Sequence, residues 1–265
     1  MESIEIFGYF GALLVGLVLG LIGGGGSILT LPILVYVFKI EPVLGTAYSL
    51  FVVGFTALVG TIRNSKSNMI AYKTGFIFSI PALATIFLTR KIVVPALPDV
   101  FYQSDWITIT KATAIMVLFA AVMLIASVSM IRGRKDVDEN ESKKVHMPKL
   151  IMNGFAVGLL AGLVGAGGGF LIIPALVFFA HLPMKKAVAT SLMVIAINSL
   201  IGFLGDAFTL SIDWVFLLLF TSLSAIGIFI GIYLNKFISG AKLKKGFGWF
   251  VLIMGVYIIL KETIL

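Results

Sequence analysis

The residues best suited to chemistry in this sequence are two runs of glycine, at positions 23–26 and 167–169. Each glycine costs a helix about 1 kcal/mol relative to alanine, so a run of them ends the helix that leads into it. Both runs lie inside strongly apolar sequence. Broken backbone in such a setting must be surrounded by protein or by a water-filled cavity. A short helix is then expected to begin near Ser27, and its counterpart near Phe170. A helix N-terminus presents free N–H groups and about half a positive charge. Two such ends converging from opposite sides suit an anion, and glycine lets a ligand approach the backbone closely. The expected backbone donors are Gly24, Gly25, Gly26, Ser27, Gly167, Gly168 and Gly169. Side-chain donors facing them would be Ser49, Thr190 and Ser191, with Asn198 and Thr46 on the same helix faces.

Plainer readings stand beside these. Glycines spaced by four, as in Gly16/Gly20, Gly158/Gly162 and Gly227/Gly231, read as packing notches between helices. Serine and threonine hydroxyls often bond the carbonyl one turn back. Pro32 and Pro174 read as kinks or helix ends. His146 and His181 are isolated and read as surface residues, and Lys111 reads as a lysine snorkelling from a segment end. No HExxH, GxSxG or Walker A motif is present, and without cysteine there is no thiolate chemistry. No cofactor or metal is called for.

The elements that must position the glycine runs are apolar segments. Of 265 residues, 60% are hydrophobic and 12% charged, against about 25% charged in an ordinary soluble domain. Blocks near 20 residues match a hydrocarbon layer about 30 Å thick. This excludes a soluble enzyme, a nucleic-acid-binding domain and a disordered chain. Ten segments are expected, at 6–22, 27–38, 43–62, 74–94, 107–131, 150–164, 170–180, 187–204, 214–234 and 246–260. The leading residues lack the basic region of a cleavable signal, so the first segment is expected to stay.

The halves repeat each other. GLIGGGGSILTLP at 20–32 matches GLVGAGGGFLIIP at 162–174, with a constant offset of 142. The same offset pairs Gly16 with Gly158, Ser49 with Ser191 and Gly60 with Gly202. The expected division is a first transmembrane repeat at 1–131, a charged linker at 132–149 and a second repeat at 150–265.

Each repeat reads as a glycine-broken short helix pair followed by three transmembrane helices. The pair, whether a re-entrant hairpin or two short crossings, returns the chain to its starting side. Three crossings then follow, so the second repeat enters from the opposite face and the repeats are inverted. Charge tests this. One face collects 15 of the 20 Lys and Arg residues, which marks it as cytoplasmic and places both termini outside. The net charge of +8 then needs no nucleic acid. The fold expected is an all-α polytopic membrane protein with almost no charge in its interior.

At the two glycine motifs, with ATSL at 189–192 and IAINSLIGFLGD at 195–206, the sequence resembles the sulfite exporter TauE/SafE family over nearly its whole length. The resemblance implies an inner-membrane transporter for a small sulfur-containing anion, such as sulfite or an organosulfonate. Two departures stand out. Ala47, Tyr48 and Ser49 replace the Ala-Thr-Ser of the second repeat, and an outer insertion spans roughly 90–106. The partners implied are the anion and the lipid bilayer, with proton coupling and a homodimer left open. A channel built on the same site is the alternative, and an embedded enzyme or assembly factor a more distant one.

Overall fold

The computed structural model describes residues 3–103, 108–132, 147–164 and 169–263. Most of the 132–149 linker falls outside them. The described residues are mostly helical: α1 (Ser3–Ile22), α2 (Gly26–Pro32), α3 (Pro42–Ser65), α4 (Tyr72–Leu88), α5 (Val94–Ala96), α6 (Lys111–Arg132), α7 (Met147–Val164), α8 (Gly169–Phe178), α9 (Met184–Ala207), α10 (Trp214–Asn235) and α11 (Gly240–Thr263). Among them, six helices are long and apolar enough to cross a membrane, and three shorter apolar helices accompany them. All ten expected segments appear as helices; the extra one, α5, is a single turn.

Local chemistry accounts for the boundaries. Gly23 ends α1 with φ +79°, a left-handed conformation that side chains rarely adopt, while its N–H still bonds Leu19 O at 2.7 Å. Glu41 accepts from Leu44 N at 3.0 Å at the start of α3, where Pro42 fits the first turn. Asp213 does the same for Phe216 N at the start of α10. Helix α2 runs on from Pro32 through a π-helical turn, Ile33–Val37.

The segment expected at 74–94 is helical throughout, so the outer insertion, read from sequence at roughly 90–106, starts after it. Helix α4 continues through a second π-helical turn, Thr89–Val93, into α5. Pro95, which has no N–H to give, lies in the last turn, and the chain leaves the helix two residues later at Leu97 with ψ 135°. The insertion is a small antiparallel hairpin, β1 (Val100–Gln103) with β2 (Thr108–Thr110). Arg90 and Lys91 are therefore helical. Lys111 starts α6 and reaches back to Leu97 O and Asp99 Oδ1, both at 3.2 Å, as a snorkelling lysine would.

Packing follows the duplication. Helix α1 lies along α10, and α7 lies along α4. Helix α3 touches α10 as α9 touches α4, while α3 pairs with α9 and α6 with α11. Exchanging the halves turns this set of pairs into itself. The two short helices even end alike: Lys39 and His181, 142 residues apart, have φ 55° and 53°. Ile40 N bonds Leu34 O at 3.0 Å, and Leu182 N bonds Leu176 O at 3.1 Å, the six-residue bonds of matching C-terminal caps.

The spaced glycines are contact points between backbones. A Cβ on Gly20 would lie 2.5 Å from Ile228 O, and one on Gly162 would lie 2.7 Å from Thr89 Cβ. Gly16, Gly158, Gly227 and Gly231 press even closer on Ser224, Ala82, Leu13 and Leu17 of the facing helix. Ile28, Leu31, Phe78, Phe119, Ile172 and Ile173 are buried at the centre. Ile80, Ile125 and Val215 point outward, as an apolar bilayer permits.

Candidate functional site

Helices α2 and α8 meet in the interior, each packed on its own half's long helix, α3 or α9. The glycine breaks are brought together there. A Cβ on Gly169 would lie 3.1 Å from Gly24 Cα, and one on Gly24 would press into Gly169 O. Gly25 and Gly26 pack against Val18 and Leu19 of α1. Ser27 stands in the first turn of α2. Gly167 and Gly168 lie outside the described residues.

Of the five side chains named from sequence, Thr46 bonds Arg90, and the other four divide into two groups. The Ser191 hydroxyl shares its one proton between Gly23 O at 2.7 Å and Val188 O at 2.8 Å, so it pins the break to α9. Thr190 is turned away, and its hydroxyl accepts from Ala71 N at 2.9 Å, where α4 begins. Ser49 and Asn198 are buried, and among the described residues neither Ser49 Oγ nor the Asn198 amide atoms find a hydrogen-bond partner. Buried polar atoms without partners are uncommon and costly, and these two residues belong to α3 and α9, the long helices on which α2 and α8 pack.

A cavity of about 390 Å³ opens near one end of the α3–α9 pair. Arg63 and Asn64 at the end of α3, Lys185 and Val188 at the start of α9, Lys66, and Lys236 just past α10 help line it. Its wall therefore carries four cations. Val188 packs directly on the first break, since a Cβ on Gly23 would lie 2.7 Å from Val188 O. Asn235, also in the lining, donates to Leu21 O and fixes the end of α1.

The opposite end of the same helix pair is closed. There the start of α3 and the end of α9 meet around Arg90. Its guanidinium Nε donates to Asp206 Oδ2 at 2.8 Å, and Nη2 bonds the same oxygen. Nη1 donates to Thr46 Oγ1 at 2.8 Å and approaches Gly162 O at 3.5 Å. The Arg90 side chain is fully buried and that of Asp206 is 9% exposed. The interior expected to hold almost no charge contains this buried ion pair. From sequence, Arg90 counts with the outer face, at the end of the 74–94 segment and the start of the outer insertion. A signal was available: the repeat offset aligns Arg90 with Ile232, inside an apolar segment.

Tyr48, the departure within the first repeat, has a structural task. Its hydroxyl accepts from Asp213 N at 2.7 Å, and its ring stacks on Phe216.

Comparison with known proteins decides the class. The sulfite exporter TauE/SafE family model matches residues 9–258. The chain belongs to the sulfite exporter TauE/SafE family. It is 29% identical over 253 residues to a "Probable membrane transporter protein" of Xylella fastidiosa, covering 93% of this chain and 91% of that one. A protein of the same description from Bacillus subtilis is 27% identical, with 78% and 79% covered. Another, from Methanocaldococcus jannaschii, is 29% identical, with 72% and 69% covered. No solved structure matches. This TauE/SafE protein is thus a multi-pass membrane transporter and not an enzyme.

Proposed function

We propose that the transported species is a small oxyanion, sulfite or an organosulfonate, moved by alternating access around a midplane site between the glycine breaks. The observation that carries this is the four-cation cavity whose lining includes Val188, the residue packed on Gly23. A low-dielectric cleft lined by one sign of charge concentrates ions of the other sign. Ser49 and Asn198 supply unpartnered donors further along the same helices. The binding set is Gly24, Gly25, Gly26, Ser27, Gly167, Gly168 and Gly169 through the backbone, with Ser49 and Asn198 through side chains. Thr190 and Ser191 hold α4 and the first break in place around that set.

The repeats are taken as inverted across the membrane. Arg63 at the end of α3 and Lys185 at the start of α9 line one cavity, so these equivalent helices run in opposite directions. The basic face is assigned to the cytoplasm and both termini to the outside, in the inner membrane. A closed opposite end favours a carrier over an open channel, since Arg90 and Asp206 fill it.

The test is flux in proteoliposomes with sulfite, methanesulfonate, sulfate and chloride. Saturable, protein-dependent movement of sulfite or the sulfonate is expected. Absence of protein-dependent flux for every anion overturns the reading.

A further inference from the structure

The two ends of the α3–α9 pair are built from equivalent positions and yet differ. Gly20, Asn64, Val188 and Ile232 all line the open cavity. Shifted by the repeat offset of 142, they become Gly162, Asp206, Thr46 and Arg90. Those are the four residues that meet in the buried cluster. The positions that enclose space at one end are therefore closed at the other. The difference is chemical: Ile232 and Asn64 cannot form an ion pair, whereas Arg90 and Asp206 do.

We infer that Arg90 binds the transported oxyanion when this end opens, and that Asp206 holds its place while the end is shut. The inference rests on the transport reading above. A carboxylate, like the proposed cargo, is an anion that presents acceptor oxygens, and a guanidinium fork suits either. Opening the end with nothing to replace Asp206 strands a buried cation, which is strongly unfavourable. An entering anion removes that barrier by trading one oxyanion for another. Thr46 holds Nη1 independently of Asp206, so the fork stays aimed while the carboxylate leaves. Thr46 also sits one turn before Ser49 on the same face of α3, so an anion released by Arg90 has a hydroxyl within reach.

The chain has no cysteine, so a single introduced thiol is unique. Thr46→Cys places one at a fully buried position in the cluster, and its sulfur keeps a weak acceptor for Arg90 Nη1. A membrane-impermeant thiosulfonate, applied to proteoliposomes from the side of the closed end, reads its accessibility. Labelling should be slow with the pair intact and about tenfold or more faster with Asp206→Asn added. In that variant an oxyanion panel of sulfate, methanesulfonate, phosphate and acetate should contain at least one member that slows labelling. Adding Arg90→Gln should abolish that protection. The swapped pair, Arg90→Asp with Asp206→Arg, controls for folding and should label slowly. If Asp206→Asn does not fold, Arg90→Lys replaces it and should give faster labelling with weaker protection. Unchanged labelling in these variants overturns the inference, as does faster labelling that no oxyanion slows. A gate that responds in protein with no measurable flux would instead count against the transport reading alone.

Discussion

Gly24 and Gly169 touch backbone to backbone, a residue of the first glycine run against one of the second, with a Cβ on Gly169 falling 3.1 Å from Gly24 Cα. Their contact joins α2 to α8 and makes the two breaks one structural unit. Gly169 has Ile195 Cδ1 as its other close neighbour, a side-chain end that can turn aside, whereas a Cβ on Gly24 meets backbone.

Gly24→Ala is therefore expected to lose more thermal stability than Gly169→Ala. The cost at Gly24 should fall in the range of about 1–3 kcal/mol typical of overpacking. Thermal unfolding in detergent checks the order of the two variants. Equal melting temperatures would mean the breaks do not press together as described.

The notch glycines make a sharper contrast with an open one. Gly227 faces Leu13 O across α1 and α10, but nothing lies within 4 Å of a Cβ on Gly246. Gly227→Ala should separate the two helices and lower the melting temperature. Gly246→Ala should raise it slightly, since alanine is favoured over glycine in a helix by about 1 kcal/mol. The same unfolding measurement on both proteins decides this.

Ser49→Ala separates binding from structure. A buried hydroxyl with no partner contributes a desolvation cost and no bond, about 1–3 kcal/mol where the loss is complete. Removing it should leave the melting temperature unchanged or higher while anion flux falls. Ser191→Ala should behave in the opposite way on stability, because it deletes the bond to Gly23 O. Loss of stability in Ser49→Ala would show that its hydroxyl is structural after all.

The cavity cations should act through their field. Neutralising Arg63, Lys66, Lys185 and Lys236 to glutamine in turn should raise the half-saturation concentration for anion supplied from that side. The effect should shrink as ionic strength rises towards about 0.15 M, where the Debye length is about 8 Å. Initial-rate flux at several salt concentrations measures it. A salt-independent effect would mean these side chains touch the anion directly.

Much of the architecture was legible because it rests on local composition. Long apolar blocks specify helices by themselves, and the offset of 142 exposes the duplication without any contact information. The notch glycines were legible for the same reason, since four-residue spacing alone puts them on one helix face. What stayed hidden depends on distant partners. Arg90 meets Asp206 across 116 residues, and nothing near either position announces the other. Thr190 and Ser191 are adjacent in sequence, yet their hydroxyls serve different neighbours, Ala71 and Gly23. Residue type identified them as polar and buried, but only the packing of α4 and α1 on α9 assigned the bonds.

The Arg90–Asp206 pair has a kinetic consequence. A duplicated carrier with identical ends rests equally often open to either side. With a lock at only one end, its empty form leans towards the other, and each 1.4 kcal/mol of lean is about tenfold in population. Half-saturation measured from the two sides then differs, and initial rates look rectified. The final accumulation ratio does not, because a passive bias cancels around the complete cycle and only the gradients set where transport stops.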